Sequence, residues 1–122
     1  MRKDGRYLIT GGTGTIGTGL LYRLLYEGFS DLVILARNEG KLIDIEDLPV
    51  RIITGDIADP YVCERACQGV DGIIHLAAFK HVRLAEDNVH ACIKSNIIGL
   101  INMLNITLKN KPKFFLFATT DK

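Results

Sequence analysis

The chain has 122 residues, 48% of them hydrophobic and 24% charged, with a formal net charge of +1. That length supports one sizeable core, and so balanced a charge offers no basic surface for nucleic acid or acidic lipid. No apolar run approaches the roughly 18 residues of a membrane span, and Met1-Arg2-Lys3-Asp4 leads straight into a strand pattern, so neither an anchor nor a secretory leader is expected.

The first strand is expected over Arg6 to Thr10, where Tyr7, Leu8 and Ile9 form a short apolar run. It breaks into five glycines, Gly11, Gly12, Gly14, Gly17 and Gly19. A helix pattern comes next over Thr15 to Glu27, with Ile16, Leu20 and Leu24 on one face and Gly28 ending it. Strand, tight turn and helix form the context that gives a glycine pattern meaning. The spacing fits both G-x-x-G-x-x-G (Gly11, Gly14, Gly17) and G-x-G-x-x-G (Gly12, Gly14, Gly17). The first glycines permit a turn that a Cβ would block, Gly14 leaves the backbone open to a pyrophosphate, and Gly17 lets helix and strand pack closely. The N–H groups of Thr10, Gly11, Gly12, Thr13, Gly14, Thr15, Ile16 and Gly17 are thus expected to form a dinucleotide cradle at a helix amino end.

A second strand, Asp31 to Ala36, carries the continuous apolar core Leu32-Val33-Ile34-Leu35 of a strand buried on both faces. Asn38 to Asp47 reads as a short helix or a loop, and Val50 to Thr54 as the third strand. Asp59-Pro60 reads as N-cap and first residue of a helix reaching about Gln68, with Gly69 closing it. The fourth strand is Gly72 to Ala77. A long helix is expected over Glu86 to Lys109, burying Val89, Ile93, Ile97, Leu100, Leu104 and Leu108. Pro112 precedes a fifth strand, Lys113 to Ala118. Such alternation implies an α/β fold, a Rossmann-like doubly wound parallel sheet in the order 3-2-1-4-5 with helices on both faces. Ligands then bind beyond the carboxyl ends of the strands, where the order reverses between strands one and four.

The residues just after each strand therefore matter most. Ala36-Arg37-Asn38 holds no acid to accept from a ribose hydroxyl, and Arg37 suits a 2′-phosphate, which points to NADP over NAD. Asp56 can accept from an adenine amino group and Ile57 can pack on the ring; the plainer reading of Asp56 is a turn aspartate bonded to its own backbone. His75, alternating with apolar neighbours, reads as a packed histidine. Ala77 and Ala78 are small enough for a cofactor to lie against them, and Lys80 and His81 can reach a substrate or stay solvated. Asn96 falls on the apolar stripe of the long helix and needs a partner, in a strand or beside the active site. Thr119-Thr120-Asp121-Lys122 brings hydroxyl, carboxylate and ammonium to the tip of the fifth strand, or else is a polar terminus. Cys63, Cys67 and Cys92 are an odd number without a metal-ligand set, so a reducing cytoplasm is expected; Cys63 and Cys67 read as small core residues.

Thr10-Gly11-Gly12-Thr13-Gly14-Thr15-Ile16-Gly17 resembles the cofactor loop of extended short-chain dehydrogenases/reductases. With His75-Leu76-Ala77-Ala78-Phe79-Lys80-His81-Val82, Lys94-Ser95-Asn96-Ile97-Ile98-Gly99 and Thr119-Thr120-Asp121-Lys122, the chain is similar to the inverting UDP-N-acetylglucosamine 4,6-dehydratases and related capsule polysaccharide biosynthesis proteins. The resemblance implies an NADP that takes a hydride from C4 of a UDP-sugar, loss of water across C5 and C6, and return of the hydride to C6. It implies that Thr120 bonds the substrate near C4, Asp121 is the acid at the C6 hydroxyl, Lys122 is the base at C5, and Lys80 lies near phosphates. Arg37 matches the arginine after the family's second strand.

Two departures accompany the resemblance. The segment from Arg37 to the third strand is short for the family. The family's Tyr-x-x-x-Lys pair is missing, since none of Tyr7, Tyr22, Tyr26 and Tyr61 has a lysine four residues on. Residues 1–122 are thus expected to be the cofactor-binding domain of a larger enzyme, without its sugar-binding region, inactive alone and prone to form homo-oligomers. A sugar-nucleotide epimerase or reductase and a dinucleotide-binding module without chemistry are the alternatives.

Overall fold

The computed structural model describes residues 1–11, 15–37, 45–76 and 97–117. In chain order these form β1 (Arg6–Thr10), α1 (Thr15–Tyr26), β2 (Asp31–Ala36), β3 (Arg51–Thr54), α2 (Pro60–Ala66), β4 (Gly72–His75), α3 (Gly99–Asn110) and β5 (Phe114–Phe117). The five strands are parallel in the order β3-β2-β1-β4-β5, the doubly wound order expected from the alternation. The expected segments 38–44 and 77–96, including Val89, Ile93 and Cys92, lie outside the described residues.

Alternation along the central strands divides the core in two. Tyr7 and Ile9 of β1 join Leu32, Ile34 and Ala36 of β2 beneath Leu21 and Leu24 of α1. Leu8, Val33 and Leu35 face the other way, under Cys63, Ala66 and Cys67 at α2 and Met103 and Ile106 of α3. Fully buried side chains such as Leu8 and Ile9 each contribute roughly 1.5–3 kcal/mol. Burial pushes the Cys63 and Cys67 thiols up to about 12, so both serve as the small core residues expected.

Local chemistry explains the element ends. Phe29 N–H reaches back to Leu24 O (3.0 Å) and Gly28 N–H to Leu25 O (3.1 Å), closing α1 with Gly28 at φ 98. Asp59 caps α2 by accepting from Tyr61 N–H at 2.9 Å, ahead of Pro60. Gly72 lies between Tyr7 and Phe114 in register, and their rings stack across it with centroids 5.8 Å apart. A Cβ on Gly72 would fall on the Phe114 ring.

The stripe expected to bury α3 is corrected by the structure. Gly99, Met103 and Ile106 face the core, while Ile97 and Leu104 are 53% and 43% exposed and Leu108 75%. Gly99 is the reason. A Cβ there would come within 2.5 Å of Ile57 Cγ2, so only glycine lets the helix sit this close. Asn102 Nδ2 then donates to Ile57 O at 3.0 Å and sets the rotation. No helix among the described residues is long and apolar enough to cross a membrane.

Candidate functional site

The register brings the carboxyl ends of β1, β2, β3 and β4 to one edge. Thr10 is opposite Leu35 and His75, and Ala36 is opposite Thr54. At that edge β1 runs into Gly11, which donates to Leu35 O at 3.2 Å and has φ 75, a conformation that favours glycine. Thr15 and Ile16 open α1, and Gly17 is buried in its first turn. That turn holds no acidic residue, so no carboxylate of the turn opposes an anion at the helix amino end. Gly12, Thr13 and Gly14, the middle of the expected cradle, lie outside the described residues.

Arg37 comes directly after β2 and is exposed, one residue beyond the Ala36–Thr54 pair. Gly55 N–H donates to Ala36 O (3.1 Å), and Asp56 comes next, half-buried. One Asp56 oxygen accepts from Ala58 N–H at 2.9 Å, the turn aspartate of the plainer reading, and this fixes the carboxylate at the end of β3. Ile57 behaves differently from expectation. Its side chain is 5% exposed and packs in the second core beneath Gly99, although its backbone follows Asp56 just after β3.

Thr10 is fully buried, and its hydroxyl lies 2.7 Å from His75 Nδ1 and accepts from Leu76 N–H at 3.0 Å. The expected packed histidine is therefore a hydrogen-bonded one. His75 is 1% exposed, stacks on Phe117 with ring centroids 5.3 Å apart, and has its pKa lowered to about 4 by burial. Ala77, Ala78, Lys80, His81, Asn96, Thr119, Thr120, Asp121 and Lys122 lie outside the described residues.

Asn102 was missed from sequence. Its amide holds the carbonyl of the loop after β3, and the only sign was a polar residue one turn from Gly99 on a helix crowded with apolar choices. A groove of about 960 Å³ lies elsewhere, lined by Tyr22, Tyr26, Phe29, Leu48 and Pro49. It opens beside Gly28 and Ser30, at the amino end of β2 and so at the opposite end of that strand from Arg37.

Glycine turn, acid-free helix start and basic strand end together suit the phosphates of a dinucleotide. Residues 7–122 match the profile of the polysaccharide biosynthesis proteins. The chain belongs to that family. Within the family's wider circle, it is 36% identical to a UDP-N-acetylglucosamine 4,6-dehydratase (inverting) of Campylobacter jejuni, over 94% of this chain and 36% of that protein. It is 35% identical to an uncharacterized membrane protein of Methanocaldococcus jannaschii, over 98% of this chain and 37% of that one. A solved UDP-glucose 4-epimerase of Thermus thermophilus, in complex with NAD, superposes with a TM-score of 0.85 at 25% identity, covering 94% of this chain and 37% of that one. The chain thus spans a little over a third of the length of these relatives. Over that portion it has the extended short-chain dehydrogenase/reductase fold.

Proposed function

We propose that the chain is the NADP-binding part of a sugar-nucleotide 4,6-dehydratase whose substrate is of the UDP-N-acetylglucosamine type. The observation that carries the cofactor reading is that Gly11 and Arg37 follow the paired strands β1 and β2 at the same sheet edge, with α1 starting four residues after Gly11. The amides of the glycine turn would hold the pyrophosphate, Arg37 the 2′-phosphate, and Asp56 the adenine amino group. Ala77 and Ala78 would flank the cofactor, with Lys80 near phosphates and Asn96 beside the site. When bound, the nicotinamide supplies hydride acceptance and return. Thr120 would hold the sugar at C4, Lys122 take the proton from C5, and Asp121 protonate the departing C6 hydroxyl. Thr120-Asp121-Lys122 favours dehydration over simple epimerisation, where serines are common at these places. The Thermus relative keeps an epimerase as the second reading.

Calorimetry on the parent chain and on Arg37→Asp tests the cofactor. A guanidinium–phosphate contact is worth roughly 1.5–3 kcal/mol, so NADP should bind about ten- to a hundredfold tighter than NAD. Equal affinities in the parent would sink the assignment. With UDP-N-acetylglucosamine added, NMR should show no 4-keto-6-deoxy sugar, because positioning alone can contribute roughly 7–11 kcal/mol and no tyrosine here has a lysine four residues on. Turnover like that of a full-length homologue would refute this, and a C4-inverted sugar would favour the epimerase.

Self-association belongs to the same proposal. Ile101, Leu104 and Leu108 recur along α3 at helical spacing and are 43–75% exposed, with Ile97 just before it 53% exposed, and Leu116 and Phe117 of β5 are exposed too. Apolar surface of this kind recruits other chains. Light scattering should report a dimer or larger species that Leu108→Glu weakens; a clean monomer at high concentration would count against it.

A further inference from the structure

We propose that His75 is a positioning residue for the dinucleotide's phosphate turn, acting through Thr10; the proposal rests on the cofactor reading above. Thr10 is the last residue of β1, and the next residue, Gly11, begins the turn. His75 is the last residue of β4 and lies directly opposite Thr10 in the register.

The joint between them is directional. The Thr10 hydroxyl meets His75 Nδ1 at 2.7 Å, and Leu76 N–H donates at 3.0 Å both to that hydroxyl and to the Thr10 carbonyl. The imidazole is itself seated against β5, with Phe117 stacked at 5.3 Å and 22° and Phe115 at 6.0 Å. A chain of contacts therefore runs from β5 through His75 and Thr10 to Gly11. On its other side Gly11 is tethered to β2 by its bond to Leu35 O.

An apolar side chain would fill the same space without the cost of burying an imidazole. Ladder bonds hold the backbone of this strand end on both sides, and dispersion contacts would add no angular preference to them. A buried hydroxyl–imidazole bond does, because its strength falls off with angle as well as distance. The Gly11 N–H is itself committed to Leu35 O, so Gly11 anchors the turn rather than touching the ligand; a ligand held by the backbone N–H groups that follow needs that anchor in place before it binds, and pre-arrangement of that kind appears as affinity. His75 also joins the tip of β5, which leads to Thr120, Asp121 and Lys122, to the turn that holds the phosphates.

The test uses the 122-residue chain with Thr10→Val, Thr10→Ser, His75→Leu and the Thr10→Val/His75→Leu pair. Binding of NADPH is monitored by its fluorescence, the Gly11 amide by NMR without ligand, and folding by urea titration. Thr10→Val and His75→Leu should each weaken NADPH about five- to tenfold, the pair should be no worse than either, and Thr10→Ser should bind like the parent. The Gly11 amide resonance should move in the first two variants and stay in Thr10→Ser. A merely structural pair would lower the urea midpoint and leave the affinity of the folded protein unchanged, and that result, or additive losses, overturns the proposal. Thr10→Val, similar in shape and apolar, decides alone if His75→Leu does not fold. A parent that takes up no NADPH overturns the cofactor reading and this proposal with it, whereas a parent that binds no better than its folded variants overturns the proposal only.

Discussion

Gly14→Val is expected to abolish dinucleotide binding while leaving a folded domain. The two effects separate because they depend on different parts of the chain. The core is formed by β1, β2, β4 and the helices, and Leu8, Ile9, Leu32, Ile34 and Ile73 are buried there. The proposed cradle would depend on bare backbone at Gly14, where a valine side chain would occupy the space expected for the pyrophosphate. Two charge-assisted hydrogen bonds lost at roughly 1.5–3 kcal/mol each weaken binding by about a hundredfold or more. Circular dichroism with a binding titration tells the outcomes apart. Parent-like affinity in a folded variant would show that the glycine turn does not hold phosphate.

The second large effect is acid sensitivity centred on His75. Its pKa in the fold is about 4, below the ordinary 6.5, because burial disfavours the imidazolium; its ring neighbours Phe115 and Phe117 and its partner Thr10 carry no charge. Above pH 6.5 the group is neutral folded and unfolded, and its contribution is intact. Between 6.5 and 4 the unfolded chain takes up a proton that the fold refuses, so stability falls as pH falls, and below 4 this loss is complete. At 1.36 kcal/mol per unit the full swing is about 3 kcal/mol. Urea unfolding at pH 7 and pH 4.5 should show most of it in the parent. His75→Phe should be less stable at pH 7 yet lose much less on acidification. An equal loss in parent and variant would place the acid sensitivity elsewhere than on His75.

Much of the architecture was legible because its signals are local. The Leu32–Leu35 run can only be a strand with both faces covered, and Asp59-Pro60 marks a helix start by its own chemistry. Parallel strands separated by helices leave few topologies, and the handedness of crossovers selects among them. The edge that holds Gly11, Arg37 and Asp56 is a consequence of that topology, since each residue comes just after a strand. The α3 stripe was not legible. Its apolar residues cover most of the helix surface, so periodicity alone gives several equivalent faces, and Leu100, Leu104 and Leu108 looked as suitable as Met103 and Ile106.

From the sequence by itself come the strand order, the glycine turn after β1, and an arginine where a ribose-binding acid would otherwise stand, because each depends on a few adjacent residues and on chain connectivity. The tertiary structure alone decided which side of α3 is buried, through the close approach of Gly99 to Ile57 and the Asn102 bond to its carbonyl. It alone placed the Ile57 side chain in the core, and it alone joined Thr10 to His75 across 65 residues of chain. Those outcomes are contacts between segments far apart in sequence. Their geometry is set by how closely two backbones can approach and by which buried polar atom finds a partner, and neither quantity exists until the sheet has formed.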